Sequence, residues 1–319
     1  MLLIDETQVR TTTPFPALVD AIRDMFKGDC QMPVRHHHGV NVPDEPIGTL
    51  LLMPAWTEGH YMGVKIVSVF PGNEKRNMAA VNGTYLLSSG RTGQNLALID
   101  GAELTARRTA ASSALASSYL SRRDSSVLLV CSTGRLSLNL IEAHCSQRPV
   151  REVYIWGRNE EKAAATARLA AGFAERVEAV SDLEAVARKA DIIACATLSE
   201  QPIIKGAWLK EGAHLDLVGA FTPKMRECDD EAVLRATLFA DTRDGALSEG
   251  GDLVQPLKAG LISREKVVGD LYDLCRETHR GRANETEITL FKSVGAALED
   301  LAGAILAFET ATALPQSDG

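Results

Sequence analysis

The chain has 319 residues, 45% hydrophobic and 24% charged, the balance of an ordinary globular protein long enough for about two domains. That mix excludes a disordered chain, a collagen-like chain and a small disulfide scaffold. Lys and Arg number 34 against 42 Asp and Glu, a net charge of −8, which argues against nucleic acid or a membrane surface as partner, since both are polyanions; a local basic pocket for a small anion is still allowed. No run approaches the roughly 18 apolar residues of a membrane span. Met1-Leu2-Leu3-Ile4-Asp5-Glu6 lacks the basic segment and long apolar run of a secretory leader. The six cysteines are scattered without a CxxC pair, so neither a zinc site nor a disulfide framework is indicated. Cys131 and Cys195 sit in apolar runs and read as small buried hydrophobes. A reducing cytoplasm is the expected home.

In chain order, residues 1 to about 118 mix short apolar runs with turn signals such as Phe70-Pro71-Gly72-Asn73 and Ser89-Gly90-Arg91-Thr92-Gly93. Gly48–Met53 and Met62–Val69 read as strands ended by turns. This is the pattern of an α+β domain with a largely antiparallel sheet. An Ala- and Ser-rich helix from about Leu104 to Leu120 leads out of it. From about residue 124 strands and helices alternate. Val127–Cys131 precedes a helix over 135–147, and Val153–Trp156 precedes one from Glu160 to Ala174. Further strands are expected at Val177–Val180, Asp191–Ala196, His214–Gly219 and Leu238–Ala240. Near-continuous apolar strands between helices predict a parallel sheet covered on both faces. Asn284 to Gly319 reads as one long amphipathic helix with a short polar tail. The fold class is therefore α/β, a Rossmann-type parallel-sheet domain plus an α+β domain. The expected boundaries are 1–118 with 287–319 for the α+β domain and 119–286 for the parallel sheet.

Strand, small-residue turn and helix occur together at Val127–His144, with the turn Cys131-Ser132-Thr133-Gly134-Arg135-Leu136-Ser137. A dinucleotide fold wants G-x-G-x-x-G/A here, so that the backbone can approach a pyrophosphate at the helix N-terminus. Ser132, Gly134 and Ser137 take those positions, and only the middle glycine is present. Ser132, Thr133, Gly134, Arg135, Leu136 and Ser137 are the candidate phosphate contacts. The next strand ends Trp156-Gly157-Arg158-Asn159, where NAD-preferring sites usually place a carboxylate for the ribose. Arg158 and Asn159 stand there instead. A guanidinium suits a 2′-phosphate and favours NADP(H) over NAD(H); the alternative is a solvated arginine opening a helix. Thr197, at a strand C-terminus, and Val218-Gly219, at another, lie where open parallel sheets bind ligands. For Thr197 the alternative is a hydroxyl capping its own turn.

Several further blocks, in order and spacing, carry a resemblance along nearly the whole chain. They include Met32-Pro33-Val34-Arg35, Leu52-Met53-Pro54-Ala55, Gly63-Val64-Lys65 and Gly93-Gln94-Asn95-Leu96-Ala97-Leu98. Others are Leu104 through Ala111, Gly212-Ala213-His214, Arg226-Glu227, Ile288 through Gly295 and Leu298-Glu299-Asp300. The chain resembles the ornithine cyclodeaminase / mu-crystallin family. That resemblance implies a homodimer, with the N-terminal half and C-terminal helix forming a substrate and dimerisation domain around a Rossmann domain. Family members include ornithine cyclodeaminases, alanine dehydrogenases, reductases of cyclic ketimines and a crystallin-type binding protein, so the family leaves the reaction open.

The resemblance also implies that Arg35, Lys65 and Arg108 hold a substrate carboxylate. Their chemistry agrees: arginine offers a planar fork, and lysine a mobile donor able to transfer a proton. Lys65 interrupts the apolar strand Val64-Lys65-Ile66-Val67, where a lysine needs a partner; it is the candidate catalytic residue. Cyclodeaminases of the family carry an aspartate just after the strand ending at Gly219. Here Phe221 takes that place, and no carboxylate occurs between Gly219 and Arg226. A phenyl ring can neither pair with a substrate ammonium nor move a proton. The segment looks like that of the ketimine-reductase branch, whose small cyclic imino acid substrate, Δ1-pyrroline-2-carboxylate or Δ1-piperideine-2-carboxylate, has no side-chain ammonium; core packing of Phe221 is the plainer alternative. Three readings follow: an NAD(P)H-dependent ketimine reductase, an ornithine cyclodeaminase, and a non-enzymatic binding protein that the altered glycine turn keeps open. Ser293 and Gly295, placed in a turn of the last helix, resemble a segment near the nicotinamide; helix packing would explain them equally. His36-His37-His38 cannot converge on one face and is not read as a metal site; one is expected beside Arg35 at the mouth of the site and two in solvent.

Overall fold

A computed structural model describes residues 1–313; residues 314–319, which include the expected polar tail, lie outside the described residues. The first half contains β1 (Leu2–Ile4), α1 (Glu6–Thr12), α2 (Phe15–Lys27), β2 (His36–Val40), β3 (Gly48–Trp56), β4 (Tyr61–Val69), β5 (Val81–Ser89), β6 (Asn95–Asp100) and α3 (Gly101–Leu120). Then come β7 (Val127–Cys131), α4 (Leu136–Gln147), β8 (Glu152–Trp156), α5 (Glu160–Leu169), β9 (Arg176–Ala179), α6 (Leu183–Ala187), β10 (Ile192–Cys195) and β11 (His214–Leu217). The chain continues through α7 (Asp230–Arg235), β12 (Thr237–Ala240), α8 (Arg243–Glu249), α9 (Gly251–Lys258), β13 (Val267–Asp270), α10 (Leu271–Cys275), β14 (Thr289–Lys292) and α11 (Ala297–Ala313). Two compact units result, Met1–Arg108 with the segment from Ala297, and Thr109–Ala296.

The first unit is a six-stranded sheet in the order β1-β6-β5-β4-β3-β2. Strands β2 through β6 pair antiparallel, and β1 joins β6 in parallel. Apolar residues Phe15, Leu18, Val19, Ile22 and Phe26 fall on one face of α2 and are buried, the stripe that a helix presents to a core. Helix α11 packs on α2 and against β3 and β4. Its first turns bury Leu298 and Leu301, and with them the charged Glu299 and Asp300.

The second unit is an eight-stranded parallel sheet in the order β13-β12-β14-β11-β10-β7-β8-β9. Leu129, Ile193, Leu215, Leu238 and Leu290 from five adjacent strands are fully buried in one cluster. The order reverses at β7, with β8 and β9 on one side and β10 and β11 on the other. Such a switch point opens a crevice at the carboxyl ends of the strands.

The compact units divide at 108/109 and 296/297, where the sequence leads one to expect domain boundaries at 118/119 and 286/287. The cause of the difference at the second is β14. Thr289–Lys292 is a buried strand inserted between β11 and β12, not the start of the last helix. Gly295, at φ +83, follows it, and α11 begins only at Ala297. At the first boundary α3 is one continuous helix that carries residues of both units. The helix expected to end at Ala174 stops at Leu169, ahead of Gly172 at φ +155.

The start of α3 is fixed by contact. Asp100 Oδ1 accepts the Glu103 N–H at 2.7 Å, which caps the helix. A Cβ on Gly101 would lie 2.5 Å from the Gly83 carbonyl carbon and 2.6 Å from Thr84 N. Gly101→Ala is therefore expected to destabilise the protein by roughly 1–3 kcal/mol through overpacking, read as a lower midpoint in chemical denaturation; an unchanged midpoint would contradict this packing.

Candidate active site

In the first unit the site is built on a lysine. Lys65 is the buried residue of β4, flanked across the sheet by Met53 and Tyr85. Its Nζ lies 2.8 Å from Asp300 Oδ2 and 3.4 Å from Thr105 Oγ1. Arg108 on α3 is buried beside it. Its Nε donates to Asp300 Oδ1 at 2.8 Å and its Nη1 to Glu299 Oε2 at 2.6 Å. Arg35 precedes β2, half-buried, and its charge reaches Lys65. The three residues expected to hold a carboxylate are thus brought into one electrostatic neighbourhood.

Burial lowers the Lys65 pKa to about 8, with Arg108 and Arg35 adding to the fall and Asp300 opposing it. Burial alone would lower Arg108 as well, but Asp300 and Glu299 outweigh it and leave it raised. Asp300 is lowered: burial pushes its carboxyl up, and Arg108 and Lys65 more than reverse that. Both Asp300 oxygens face the ammonium, Oδ1 at 3.0 Å and Oδ2 at 2.8 Å, and Thr105 adds a longer contact.

In the second unit the turn after β7 is tight. Ser132 and Ser137 are buried, while Gly134 and Arg135 are exposed. Ser137 Oγ lies 3.0 Å from Ser132 Oγ, which accepts the Gly134 N–H at 3.3 Å. The serine at the first glycine position therefore braces the turn from inside. No side chain caps the start of α4, so its N-terminus keeps the character of an anion site. A Cβ on Gly134 would meet only Ser132 Oγ, at 3.8 Å, so the glycine keeps an open approach to the backbone. Gly157, at the tip of β8, has no room for a Cβ because Thr133 occupies that space. These features fit a dinucleotide pyrophosphate held by Ser132 through Ser137. Arg158 is exposed at the end of β8. Asn159 Oδ1 accepts the Lys162 N–H at 2.9 Å and caps α5, so its amide oxygen is already engaged.

The other expected cofactor residues are held by carboxylates. Thr197, after β10, donates its hydroxyl to Glu227 at 3.0 Å. Gly219, after Val218 at the end of β11, donates its N–H to Glu227 at 2.8 Å. Ser293 Oγ and the N–H groups of Val294 and Gly295 all donate to Asp241 Oδ2. Ser293 and Gly295 lie between β14 and α11, which corrects their expected place within the last helix. Phe221 is 48% exposed, so core packing does not explain it. His36, His37 and His38 are all exposed on β2, the edge strand. His36 directly follows Arg35, beside which one histidine was expected at the mouth of the site.

Glu227, Glu299 and Asp300 had no assigned role in the sequence reading. The last two did carry a signal, since adjacent acids interrupt the apolar run of α11. Residues 4–314 match the model of the ornithine cyclodeaminase/mu-crystallin family, and the chain belongs to that family. A Δ(1)-pyrroline-2-carboxylate reductase of Paracoccus denitrificans is 40% identical over 257 residues, 80% of this chain and 81% of that one. One from Colwellia psychrerythraea is 36% identical over 312 residues, 95% and 97% of the two chains. The structure of the Thermococcus litoralis Δ(1)-pyrroline-2-carboxylate reductase, in complex with NADH and L-proline, superposes with a TM-score of 0.90 at 31% identity over 98% of both chains.

Because Asp300 raises the Lys65 pKa against burial, Asp300→Asn is expected to bring Lys65 below its value of about 8. The Nζ titration followed by NMR in lysine-labelled protein reads this directly; an unmoved or raised midpoint would mean that Asp300 does not set the charge of Lys65.

Proposed function

We propose that the protein reduces a cyclic ketimine carboxylate, Δ1-pyrroline-2-carboxylate or Δ1-piperideine-2-carboxylate, to the cyclic L-amino acid, with NADP(H) preferred over NAD(H). The observation that carries this reading is the buried group around Lys65. Three cations, Arg35, Lys65 and Arg108, stand against two carboxylates, Glu299 and Asp300. Two guanidiniums and an ammonium close enough to act on one another's charge suit a substrate that carries a carboxylate. The solved relative with NADH and L-proline agrees with this substrate class.

In this reading the first unit binds substrate and forms the homodimer of the family resemblance, and the second binds the dinucleotide. Arg35 and Arg108 hold the carboxylate and fix the imine in one orientation. Lys65, at a pKa of about 8, is charged at neutral pH yet releases its proton easily. Its Nζ protonates the imine nitrogen, and Asp300 keeps the ammonium aimed. A reduced nicotinamide, when bound, supplies hydride to the imine carbon. The C=N double bond becomes a C–N single bond with one new C–H and one new N–H, and solvent restores the lysine proton. Phe221 stands where cyclodeaminases of the family carry an aspartate, and a phenyl ring offers no partner to the side-chain ammonium of ornithine. Six free cysteines suit a reducing compartment, and we place the protein in the cytoplasm. Among the described residues no helix is long and apolar enough to cross a membrane.

The deciding assay follows absorbance of NADPH and NADH with both cyclic imines, beside ammonia release from L-ornithine. Cofactor oxidation by an imine without ammonia from ornithine is the expected outcome; ammonia with proline would establish cyclodeamination instead. Since the protonated lysine is the active form, kcat/KM is expected to fall as pH rises through about 8. Lys65→Met is expected to lower kcat roughly a hundred- to ten-thousand-fold, the range of a lost general acid. A variant retaining most of wild-type kcat would remove Lys65 from the proton transfer.

Arg158→Ala tests the cofactor preference. Loss of a charge-assisted bond to the 2′-phosphate is expected to raise KM for NADPH about tenfold or more while leaving that for NADH nearly unchanged. Equal effects on both cofactors would assign Arg158 no part in the choice.

A further inference from the structure

Glu227 lies in the loop after β11, fully buried. Its Oε1 accepts the Thr197 N–H at 2.6 Å and the Thr197 hydroxyl at 3.0 Å. Its Oε2 accepts the N–H groups of Gly219 at 2.8 Å and Ala220 at 3.2 Å. One carboxylate thus gathers four donors from the tips of β10 and β11. The tips are pressed together so closely that a Cβ on Gly219 would overlap the Thr197 backbone. Glu227 is itself anchored. Asp252 Oδ1, on α9, accepts the N–H groups of Glu227 and Cys228 at 2.7 and 3.1 Å. Asp252 Oδ2 lies 3.0 Å from Lys292 Nζ, on β14, and that ammonium also donates to the Leu217 carbonyl at 3.2 Å.

We propose that Glu227 is a positioning residue for the dinucleotide, its carboxylate clamping the ends of β10 and β11 into the shape that receives the cofactor. The inference rests on the preceding assignment of a dinucleotide to this unit. It follows from where the clamped backbone lies, at the carboxyl ends of strands beside the β7 switch point, where open parallel sheets bind ligands. Only the ionised form serves four donors. A proton on either oxygen would face N–H groups that need a lone pair. Burial, with Asp252 adding to it, raises the Glu227 pKa to about 7, while Lys292 and the bound N–H groups hold it down. Cys195 on β10 also lies within range of its charge, and Asp241, after β12, acts on Lys292. The clamp therefore closes as pH rises through about 7 and loosens as pH falls.

The test joins two readouts on the full chain between pH 6 and 8.5: amide hydrogen exchange at Thr197, Gly219 and Ala220 without cofactor, and titration with NADH. NADH is the probe because it lacks a 2′-phosphate, which would itself ionise near pH 6. In wild type, protection of the three amides and NADH affinity are expected to rise together with pH. Glu227→Gln is expected to lose about tenfold in both and to become flat with pH, because a carboxamide presents N–H groups to N–H donors. Glu227→Asp, which keeps the charge, is expected to recover part of the affinity. Thr197→Val removes one donor and is expected to weaken NADH about threefold, which keeps the test decisive if Glu227→Gln fails to fold. Wild-type behaviour flat with pH, or Glu227→Gln binding NADH like wild type, would overturn the inference while leaving the reductase reading intact. Absence of NADH and NADPH binding by wild type at every pH would overturn the dinucleotide reading and this role with it, whatever the exchange shows.

Discussion

The arrangement of the first unit depends on one buried constraint, the sharing of Asp300 by Lys65 and Arg108. A buried ammonium or guanidinium without a partner is costly, and removing one member of such a pair commonly costs about 3–5 kcal/mol. The partners come from three distant parts of the chain: β4, α3 and α11. Packing of apolar residues would bring α11 back to the sheet, but would leave its rotation and depth loosely specified. Two carboxylates that must meet two cations fix both. These buried charge pairs thereby explain why the last helix belongs to the unit that begins the chain.

The second unit solves a different problem with the same means. A parallel sheet leaves N–H groups at its carboxyl ends that no further strand can satisfy, and buried ones must find acceptors. Glu227 meets this need for β10 and β11, and Asp241 meets it for the segment after β14. At the end of β7 no acidic side chain caps the helix start; a serine pair braces the turn from within, and the exposed backbone stays available to an anion. The unit therefore fills with carboxylates the ends of β10, β11 and β14, and keeps them away from the start of α4, where the helix dipole favours negative charge. Ser132 in place of glycine is compatible with this division, because its hydroxyl turns inward to Ser137.

The alternation of apolar strands with helices made the parallel sheet legible, since covered parallel strands have little choice of composition. Lys65 was legible for a similar reason: charge in an apolar strand demands an explanation. Its partner was not, because Asp300 lies 235 residues away and nothing local marks the pairing. Strand β14 was misread for want of length. Four buried residues, Thr289–Lys292, carry no periodicity that separates a strand from the first turn of a helix. Glu227 was visible only as half of the Arg226-Glu227 block, and its role depends on two backbone segments folding over it.

The charges around Lys65 also divide labour between its two neighbours. Arg108 and Lys65 contact the same carboxylate, yet they answer burial differently. The Arg108 guanidinium spreads its charge, meets both Asp300 and Glu299, and is held above its ordinary range, so it stays a fixed cation. Lys65 concentrates its charge on one nitrogen and has fewer compensating contacts. Burial therefore brings it to about 8, close to neutrality. One site thus carries a permanent cation suited to holding a carboxylate and an exchangeable one suited to delivering a proton. Asp300 sets the balance: stronger pairing would lock the proton on Lys65, and weaker pairing would leave the lysine neutral. A carboxylate shared between an arginine and a lysine holds the lysine between those limits.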